Sequence, residues 1–204
     1  MPNPYECFLK LALIRHGPTE WNAQKRVQGR IDMPLSAEGQ AKMARLLPPE
    51  GFEAARPFCS PQMRALETAA LLGLEHPTLD ARLAEQNWGR WEGLTREEML
   101  ARDGEDAFAR AGRGLSFRPL GGESTGELQA RVQSFFADAA KLPQDAVAVT
   151  HMGVLRSAYA LATGWDMATP MPGELDLSAA LVLLLDAGGT PKIAELNAAL
   201  RVRG

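Results

Sequence analysis

Two histidines and two arginines occupy positions in the sequence from which their side chains could converge on one site. His16 and His151 each directly follow a short apolar segment typical of a buried parallel strand, and Arg15 stands beside His16. Arg64 falls in the first turn of a helix that is predicted after a third apolar segment. Because the carboxyl ends of parallel strands gather at one edge of a sheet, we expect these four side chains to meet there.

This cluster of basic side chains predicts a site for a bound anion. Buried like charges repel each other unless an anion lies among them, and the guanidinium groups of Arg15 and Arg64 match phosphate oxygens in pairs. Gly153, near the start of the helix predicted after His151, would let backbone N–H groups approach the same anion closely. A phosphate group is therefore the ligand that these residues fit.

Each of these residues also has an ordinary interpretation. Arg15 taken alone is a charge at a strand end, and His16 taken alone is a hydrogen-bonded core histidine. A metal site is a further alternative, since two histidines and a carboxylate can hold iron or zinc. However, Arg15 and Arg64 would repel the ion, and the sequence contains no paired histidine or cysteine spacing. We therefore expect neither a metal nor another cofactor.

The overall composition argues against several classes of partner. Hydrophobic residues make up 46% of the 204 residues and charged residues 23%, which is ordinary for a soluble globular protein. The net charge of −3 argues against a general nucleic-acid surface. No apolar run approaches the roughly 20 residues that span a bilayer, and the run at 8–14 is short for a signal peptide. We expect a cytoplasmic protein whose partner is a small phosphorylated metabolite, without nucleic-acid or membrane partners.

The remaining residues with chemical potential have plainer expected roles. Cys7 and Cys59 lie in apolar segments and are predicted to be buried free thiols. His76 precedes Pro77 and is predicted to lie in a loop.

Strand-like and helix-like segments alternate along the chain, and this alternation predicts the fold class. We expect buried strands at 8–14, 57–59, 146–150 and 180–186, and a last short strand after the turn that ends at Pro191. The pattern favours an α/β fold, a three-layer α/β/α sandwich with a mostly parallel central sheet. Residues 1–204 are predicted to form a single domain.

Capping residues predict where two of the helices begin. Ser60 is a good N-cap and Pro61 suits the first helical position. The buried stripe of that helix is predicted to consist of Met63, Leu66, Ala70 and Leu74. Ser124 and Glu127 match a capping box for a helix that is expected to continue to Leu142.

Residues 86–122 differ from the alternating pattern. This segment carries charges of both signs and has mainly helical propensity over 96–111. We predict that it is a helical, cap-like excursion over one end of the sheet, where it would cover the part of the substrate that leaves the phosphate.

The segment Leu13–Asn22, which contains Arg15-His16-Gly17, resembles the signature of the histidine phosphatase superfamily, which includes the cofactor-dependent phosphoglycerate mutases. Further blocks in matching order extend the resemblance over roughly residues 8 to 160. These blocks are Gln28–Ser36 with Gly39, Ser60-Pro61 with Arg64-Ala65 and Thr68-Ala69, Leu83–Glu85 with Gly89 and Trp91–Gly93, and Thr150–Gly153 with Arg156.

The resemblance implies a role for each matching residue. His16 would be the nucleophile and would form a phosphohistidine, while Arg15, Arg64 and His151 would hold the phosphate oxygens. Glu85 would protonate the leaving oxygen and then deprotonate the attacking water. The residues implied to line the phosphate and substrate site also include Asn22, Gln28, Gly29 and Met152.

The resemblance also bears on the choice between related activities. Residues 86–93 resemble the phosphatase branch of the superfamily, for example the α-ribazole phosphate phosphatases, and the stretch from Glu85 to His151 is shorter than in the mutases. The predicted function is hydrolysis of a small-molecule phosphate monoester through a phosphohistidine. The alternatives are a cofactor-dependent phosphoglycerate mutase and a non-catalytic binder of a phosphorylated ligand. The sequence indicates neither the substrate nor the oligomeric state.

Four further side chains near these motifs are predicted to be structural. Trp21, Trp88 and Trp91 are expected to pack against neighbouring side chains rather than to contact the substrate. Arg156 is expected to form a structural ion pair.

Overall fold

A six-stranded sheet forms the centre of the computed structural model, which describes residues 8–171 and 174–204. In spatial order, its strands are β4 (Thr78–Leu79), β3 (Arg56–Cys59), β5 (Ala146–Thr150), β1 (Leu9–Arg15), β6 (Ala180–Leu185) and β7 (Pro191–Ala198). The first four strands are mutually parallel, and β6 runs antiparallel to both of its neighbours. Two short strands, β2 (Leu46–Leu47) and β8 (Arg201–Val202), pair separately. The predicted mostly parallel sheet is confirmed.

Helices cover both faces of this sheet. They are α1 (Glu20–Ala23), α2 (Ala37–Met43), α3 (Met63–Leu71), α4 (Arg96–Ala111), α5 (Thr125–Ala139) and α6 (Met152–Thr163). Side chains of β1 alternate between two apolar cores, because successive residues of a strand point to opposite faces. Leu11 and Leu13 pack with α5 and α6, whereas Ala12 and Ile14 pack with α2 and α3. This arrangement confirms the predicted three-layer α/β/α sandwich.

The central pair of strands brings two of the predicted site residues to one edge. All five residues of β5 and residues 11–14 of β1 are buried, as expected for strands covered on both faces. Arg15 is paired with Thr150 in the parallel register, and the His16 backbone N–H donates to the Thr150 carbonyl at 2.8 Å. His16 and His151 therefore leave the sheet side by side.

The predicted start of α3 is wrong, and its predicted buried stripe is right only in part: Leu74 is buried and Leu66 packs against the core, whereas Met63 and Ala70 are exposed. The N-cap is Gln62 instead of Ser60, and the helix begins at Met63, which is 44% exposed. The buried side chains of α3 are Arg64, Ala65, Thr68 and Ala69. The small residues Ala65 and Ala69, one turn apart, let the helix lie close to the sheet. The Ser60 hydroxyl does not cap the helix because it lies beside the His151 ring.

Residues 86–122 contain helical structure, as predicted, but it is interrupted. The helix α4 has the predicted bounds, and its continuity is broken at Gly104, where φ is +74°. A small separate core forms here, centred on Trp91, Met99 and Ala111. Glycine tolerates the left-handed conformation, so the break creates no backbone strain.

Other local predictions meet mixed outcomes. Ser124 and Glu127 form the predicted capping box of α5, although this helix ends at Ala139 and not at Leu142. The strand after Pro191 has eight residues and is not short. Cys59 is a buried free thiol, and burial raises its pKa to about 12. Cys7 lies outside the described residues. No helix in the described part of the chain is long and apolar enough to cross a membrane.

Candidate active site

The two histidines at the end of β1 and β5 lie in contact. Their ring centroids are 5.1 Å apart, and the ring planes are inclined at 53°. His16 is 6% exposed, and His151 is fully buried. The parallel register places them on one edge, as the sequence predicts.

His16 is held as a neutral imidazole with a defined tautomer. Its Nδ1 lies 2.7 Å from the Gly17 carbonyl oxygen, which can only accept, so Nδ1 carries the proton and Nε2 keeps its lone pair. Burial, followed by the charges of Arg64 and Arg15, lowers the pKa of His16 to about 3. The unprotonated Nε2 is therefore available as a nucleophile across the ordinary pH range.

His151 depends on the Ser60 hydroxyl. Its Nε2 lies 2.7 Å from Ser60 Oγ, and this Oγ accepts a hydrogen bond of 3.4 Å from the Gln62 backbone N–H. This contact fixes the orientation of the ring, whether the Ser60 hydroxyl donates to Nε2 or a protonated Nε2 donates to Oγ. Nδ1 is buried and has no partner in the described structure. Burial, then the neighbouring His16 and Arg64, lowers the pKa of His151 well below its ordinary value.

Arg64 is fully buried without an ionic partner. Its two terminal nitrogens donate to the carbonyl oxygens of Gly29 (2.9 Å) and Ile31 (3.1 Å), and its Nε has no partner. The Nε of Arg15 is likewise buried and unpartnered. Burial is the main cause that lowers the pKa of both arginines. In the described part of the chain neither forms a salt bridge, and the Glu85 carboxylate opposes the lowering of both pKa values only in part.

The turn at Gln28 and Gly29 is held in place by a carboxylate that sequence reasoning missed. Glu92 accepts the backbone N–H groups of Arg30 (2.7 Å) and Ile31 (3.1 Å). Gly29 has φ of +54°, and a Cβ there would lie 2.1 Å from Glu92 Oε1, so only glycine fits. The Gln28 Oε1 is buried and unpartnered. Glu92 belongs to one of the sequence blocks that match the superfamily, but the resemblance assigned it no role.

The side-chain amide of Asn22 can accept hydrogen bonds through its oxygen and donate them through its nitrogen, and the oxygen is already bonded. Its Oδ1 accepts from the Thr19 backbone N–H at 2.9 Å within the capping box of α1. The oxygen is therefore committed to the helix start, and the amide N–H groups are those that a ligand would contact.

Glu85 lies where the sheet edge meets the first turn of α6. It is 9% exposed, and its Oε1 accepts the backbone N–H groups of Gln86 (2.8 Å) and Gly153 (3.1 Å). A Cβ on Gly153 would lie 2.3 Å from this oxygen, so glycine is required for the close approach.

Gln62 connects Glu85 to the phosphate side of the site, and sequence reasoning missed it. Its Oε1 accepts the Glu85 backbone N–H at 2.8 Å, and its Nε2 donates to the Gly29 carbonyl at 3.0 Å. Thr68 was also missed; its hydroxyl accepts the Gly17 N–H at 2.9 Å and donates to the Arg64 carbonyl at 2.7 Å. The nearby matching blocks were the only available signal, because buried polar residues on a helix do not reveal their partners in sequence.

A cavity of about 250 Å³, here called the phosphate cavity, opens beside His16. It is lined by these predicted residues: Arg15, His16, Asn22, Gln28, Gly29, Arg64, Glu85 and Met152. His151 does not line it, because the His151 ring is buried behind His16. Trp21 and Trp88 do line it, so these rings border the site as well as packing, whereas Trp91 is buried against Phe108.

The prediction of a structural ion pair at Arg156 is wrong for the described part of the chain, which places no carboxylate within salt-bridge distance of it. The guanidinium lies over the Trp165 ring, 5.3 Å from its centroid, and its Nε has no partner. Arg156 lies one turn beyond Met152 on α6 and lines a second cavity beside Glu85.

Residues 8–171 and 174–204 contain no group of three or more His, Cys, Asp or Glu side chains that could hold a metal ion. The unpartnered donors shown at the site are instead the Nε atoms of Arg15 and Arg64, which suit an anion. The Gly153 N–H, which was predicted to approach the anion, donates to Glu85.

The fold and this geometry define an α/β protein that gathers two histidines and two arginines at the carboxyl edge of its sheet. The chain belongs to the histidine phosphatase superfamily (branch 1), whose sequence model matches residues 11–199. This membership confirms the family that the motifs indicated.

Among its relatives, the chain is 32% identical to phosphoserine phosphatase 1 of Hydrogenobacter thermophilus over 168 residues, which cover 78% of this chain and 79% of that protein. It is 38% identical to a 2,3-bisphosphoglycerate-dependent phosphoglycerate mutase of Maricaulis maris over 106 residues, 48% of this chain and 44% of the mutase. The chain thus matches less than half the length of that mutase. The solved structure of a putative alpha-ribazole-5'-P phosphatase from Escherichia coli is similar, with a TM-score of 0.76, 25% identity and coverage of 96% and 99% of the two chains.

Proposed function

We propose that this protein is a phosphatase that hydrolyses small-molecule phosphate monoesters through a phosphohistidine on His16. The observation that carries the proposal is a buried, neutral His16 with its proton fixed on Nδ1, beside two arginines that form no salt bridge in the described residues and keep an unpartnered Nε. The arginines need an anion, and the Nε2 lone pair needs an electrophile. A phosphate ester supplies both.

In the first step, Arg15 and Arg64 hold the phosphate oxygens while Nε2 of His16 attacks phosphorus. The N–P bond forms as the P–O bond to the leaving group breaks, and Glu85, carrying a proton, gives it to the departing oxygen. The arginines stabilise the charge that is spread over the three remaining oxygens. His151 packs against the His16 ring and helps to orient it for the attack.

In the second step, water replaces the departed alcohol. Glu85, now a carboxylate, takes a proton from the water as its oxygen attacks phosphorus and the N–P bond breaks. Inorganic phosphate leaves, and His16 and Glu85 regain their starting forms. The hydrogen bond from His16 Nδ1 to the Gly17 carbonyl supports the positive charge that the ring carries while it is phosphorylated.

A mutase is the second candidate, favoured by the 38% identity to the Maricaulis maris mutase. Its first step would be the same, but the phosphohistidine would pass its phosphoryl group to a second hydroxyl of the substrate instead of water. The similarity to phosphoserine phosphatase 1, which extends over more of both chains, supports hydrolysis instead.

The experiment is to trap the intermediate and to count its products. The enzyme is mixed with ³²P-labelled phosphate ester in excess chelator and quenched in alkali, which preserves phosphohistidine. We expect one label per chain on His16 and continued release of inorganic phosphate. Label on another residue, or phosphate release that stops in chelator and returns with added metal, contradicts the proposal. Isomerisation of 3-phosphoglycerate that outpaces phosphate release identifies the mutase.

A further inference from the structure

A second cavity of about 320 Å³, here called the outer cavity, adjoins the phosphate cavity. Both cavities are lined by Glu85, Trp88 and Met152, so they are two compartments of one cleft. If Glu85 protonates the leaving oxygen, a leaving group extends from the phosphate past Glu85. The outer cavity is the compartment that receives it.

The outer cavity has an excess of positive charge, because two arginines and one carboxylate line it. Arg113 and Arg156 line it, and in the described residues neither has a carboxylate within salt-bridge distance. The lining contains one carboxylate, that of Glu85, which already accepts two backbone N–H groups. Paired guanidinium groups in a half-enclosed cavity attract an anion.

Arg156 is constrained on one side and open on the other. Its guanidinium lies over the Trp165 ring, which restricts its position, while its buried Nε has no partner in the described structure. A planar, pre-oriented guanidinium with unused donors is suited to a carboxylate or a phosphate. Phe117 and Trp88 form an apolar wall beside it, which suits the carbon atoms of a small organic group.

We propose that the outer cavity selects substrates whose leaving group carries a second anionic group, a carboxylate or a phosphate, and that Arg156, assisted by Arg113, binds this group. The inference rests on the proposed phosphatase function and names the substrate class of the same site. It distinguishes phosphorylated hydroxy acids and bisphosphates from esters of neutral alcohols.

The test compares substrates that differ only in the second anionic group. 3-Phosphoglycerate is compared with glycerol 3-phosphate for the carboxylate, and 1,3-propanediol bisphosphate with 3-hydroxypropyl phosphate for the phosphate. We expect the ratio of kcat/KM values to favour the anionic member by about tenfold or more for at least one pair, as a charge-assisted hydrogen bond provides. The pair with the larger ratio identifies the anionic group.

Variants then assign the preference to its residue. Arg156→Met should bring the ratio close to one, and Arg156→Lys, which keeps the charge, should retain part of it. Arg113→Met, on an exposed side chain that the core does not need, should reduce the ratio less. Arg110→Met is the matched control, because Arg110 is exposed on the same excursion and does not line the outer cavity; its ratio should equal that of the wild type.

Equal kcat/KM values within both substrate pairs in the wild type overturn the inference. An anionic preference that survives in both Arg156→Met and Arg113→Met also overturns it. These failures differ from failure of the proposed function, in which no phosphohistidine forms and no ester in either pair is hydrolysed. If Arg156→Met does not fold, the Lys variant and Arg113→Met decide the question.

Discussion

The phosphate cavity and the outer cavity share a wall but are built differently. In the phosphate cavity the side chains are fixed by buried hydrogen bonds to backbone: Arg64 to two carbonyls, and Glu85 to two N–H groups. In the outer cavity the wall includes the segment Gly112–Gly114, whose two glycines have positive φ and whose arginine is exposed. In the proposed mechanism the chemistry takes place at the sheet edge, whereas substrate selection depends on Arg156 of α6 and on the connecting segment that carries Arg113.

This difference has a measurable consequence. Changes in the phosphate cavity should affect every substrate, because all of them carry the phosphate. Changes in the outer cavity should alter the ranking of substrates. If the phosphate cavity is one catalytic unit, each change in it should lower the turnover of every substrate without altering their ranking.

The largest effect is expected from removal of the nucleophile. His16→Ala should lower kcat by at least about 10⁴-fold for every phosphate ester, because no other side chain replaces Nε2. The measurement is phosphate release, with circular dichroism to show that the variant folds. His76→Ala is the matched control, since this histidine lies in an exposed loop outside both cavities. Retained turnover in His16→Ala would exclude His16 as the nucleophile.

Glu85→Gln should separate the two chemical steps. Hydrolysis of glycerol 3-phosphate should fall by about 10²–10⁴-fold, because its alkoxide cannot leave without a proton. With p-nitrophenyl phosphate, whose leaving group departs unaided, the variant should release about one equivalent of p-nitrophenol in a burst and then stall as phosphohistidine. Glu75→Gln, on an exposed carboxylate, is the control for both substrates. Equal slowing of both substrates without a burst would show that Glu85 is not the proton donor.

The sequence predicted the residues of the phosphate cavity better than the surroundings of the outer cavity. Short buried strands and their order predicted the sheet, and parallel strands bring their ends together, so the meeting of His16 with Arg15, Arg64 and His151 followed. The start of α3 did not, because Ser60 has two competing partners, a helix N-terminus and the His151 ring, and only the folded chain decides between them. The prediction of an ion pair at Arg156 is wrong for the same reason. The Trp165 ring that contacts Arg156 comes from a loop, and the sequence of residues 164–168 does not indicate the path of that loop.

A smaller effect is expected on stability, through the buried histidines. The pKa of His16 is lowered to about 3 in the folded protein, against about 6.5 in the unfolded chain. Between these values only the unfolded chain binds the proton, so the free energy of unfolding must fall as the pH falls from about 6.5 toward 3. For His16 alone, the loss between pH 7 and pH 5 should be about 2 kcal/mol.

Urea unfolding without phosphate, at pH 7 and pH 5, measures this loss. His16→Gln removes the titrating group, so its loss over the same interval should be smaller than that of the wild type by about 2 kcal/mol. Phosphate must be omitted, because an anion bound beside Arg15 and Arg64 would stabilise the folded state by itself. Identical losses in the two proteins would mean that His16 is not held neutral by its surroundings.

The smallest effect is expected where the phosphate cavity depends on a residue behind it. Ser60→Ala removes the hydroxyl that lies 2.7 Å from His151 Nε2, so the His151 ring loses the partner that holds it against the His16 ring. We expect kcat to fall by about tenfold for all substrates, consistent with loss of an orienting partner that does not touch the phosphate. Ser60→Thr keeps the hydroxyl and should recover part of kcat. If Ser60→Ala instead changes the ratio between 3-phosphoglycerate and glycerol 3-phosphate, the two cavities are coupled through His151, and the separation of catalysis from selection does not hold.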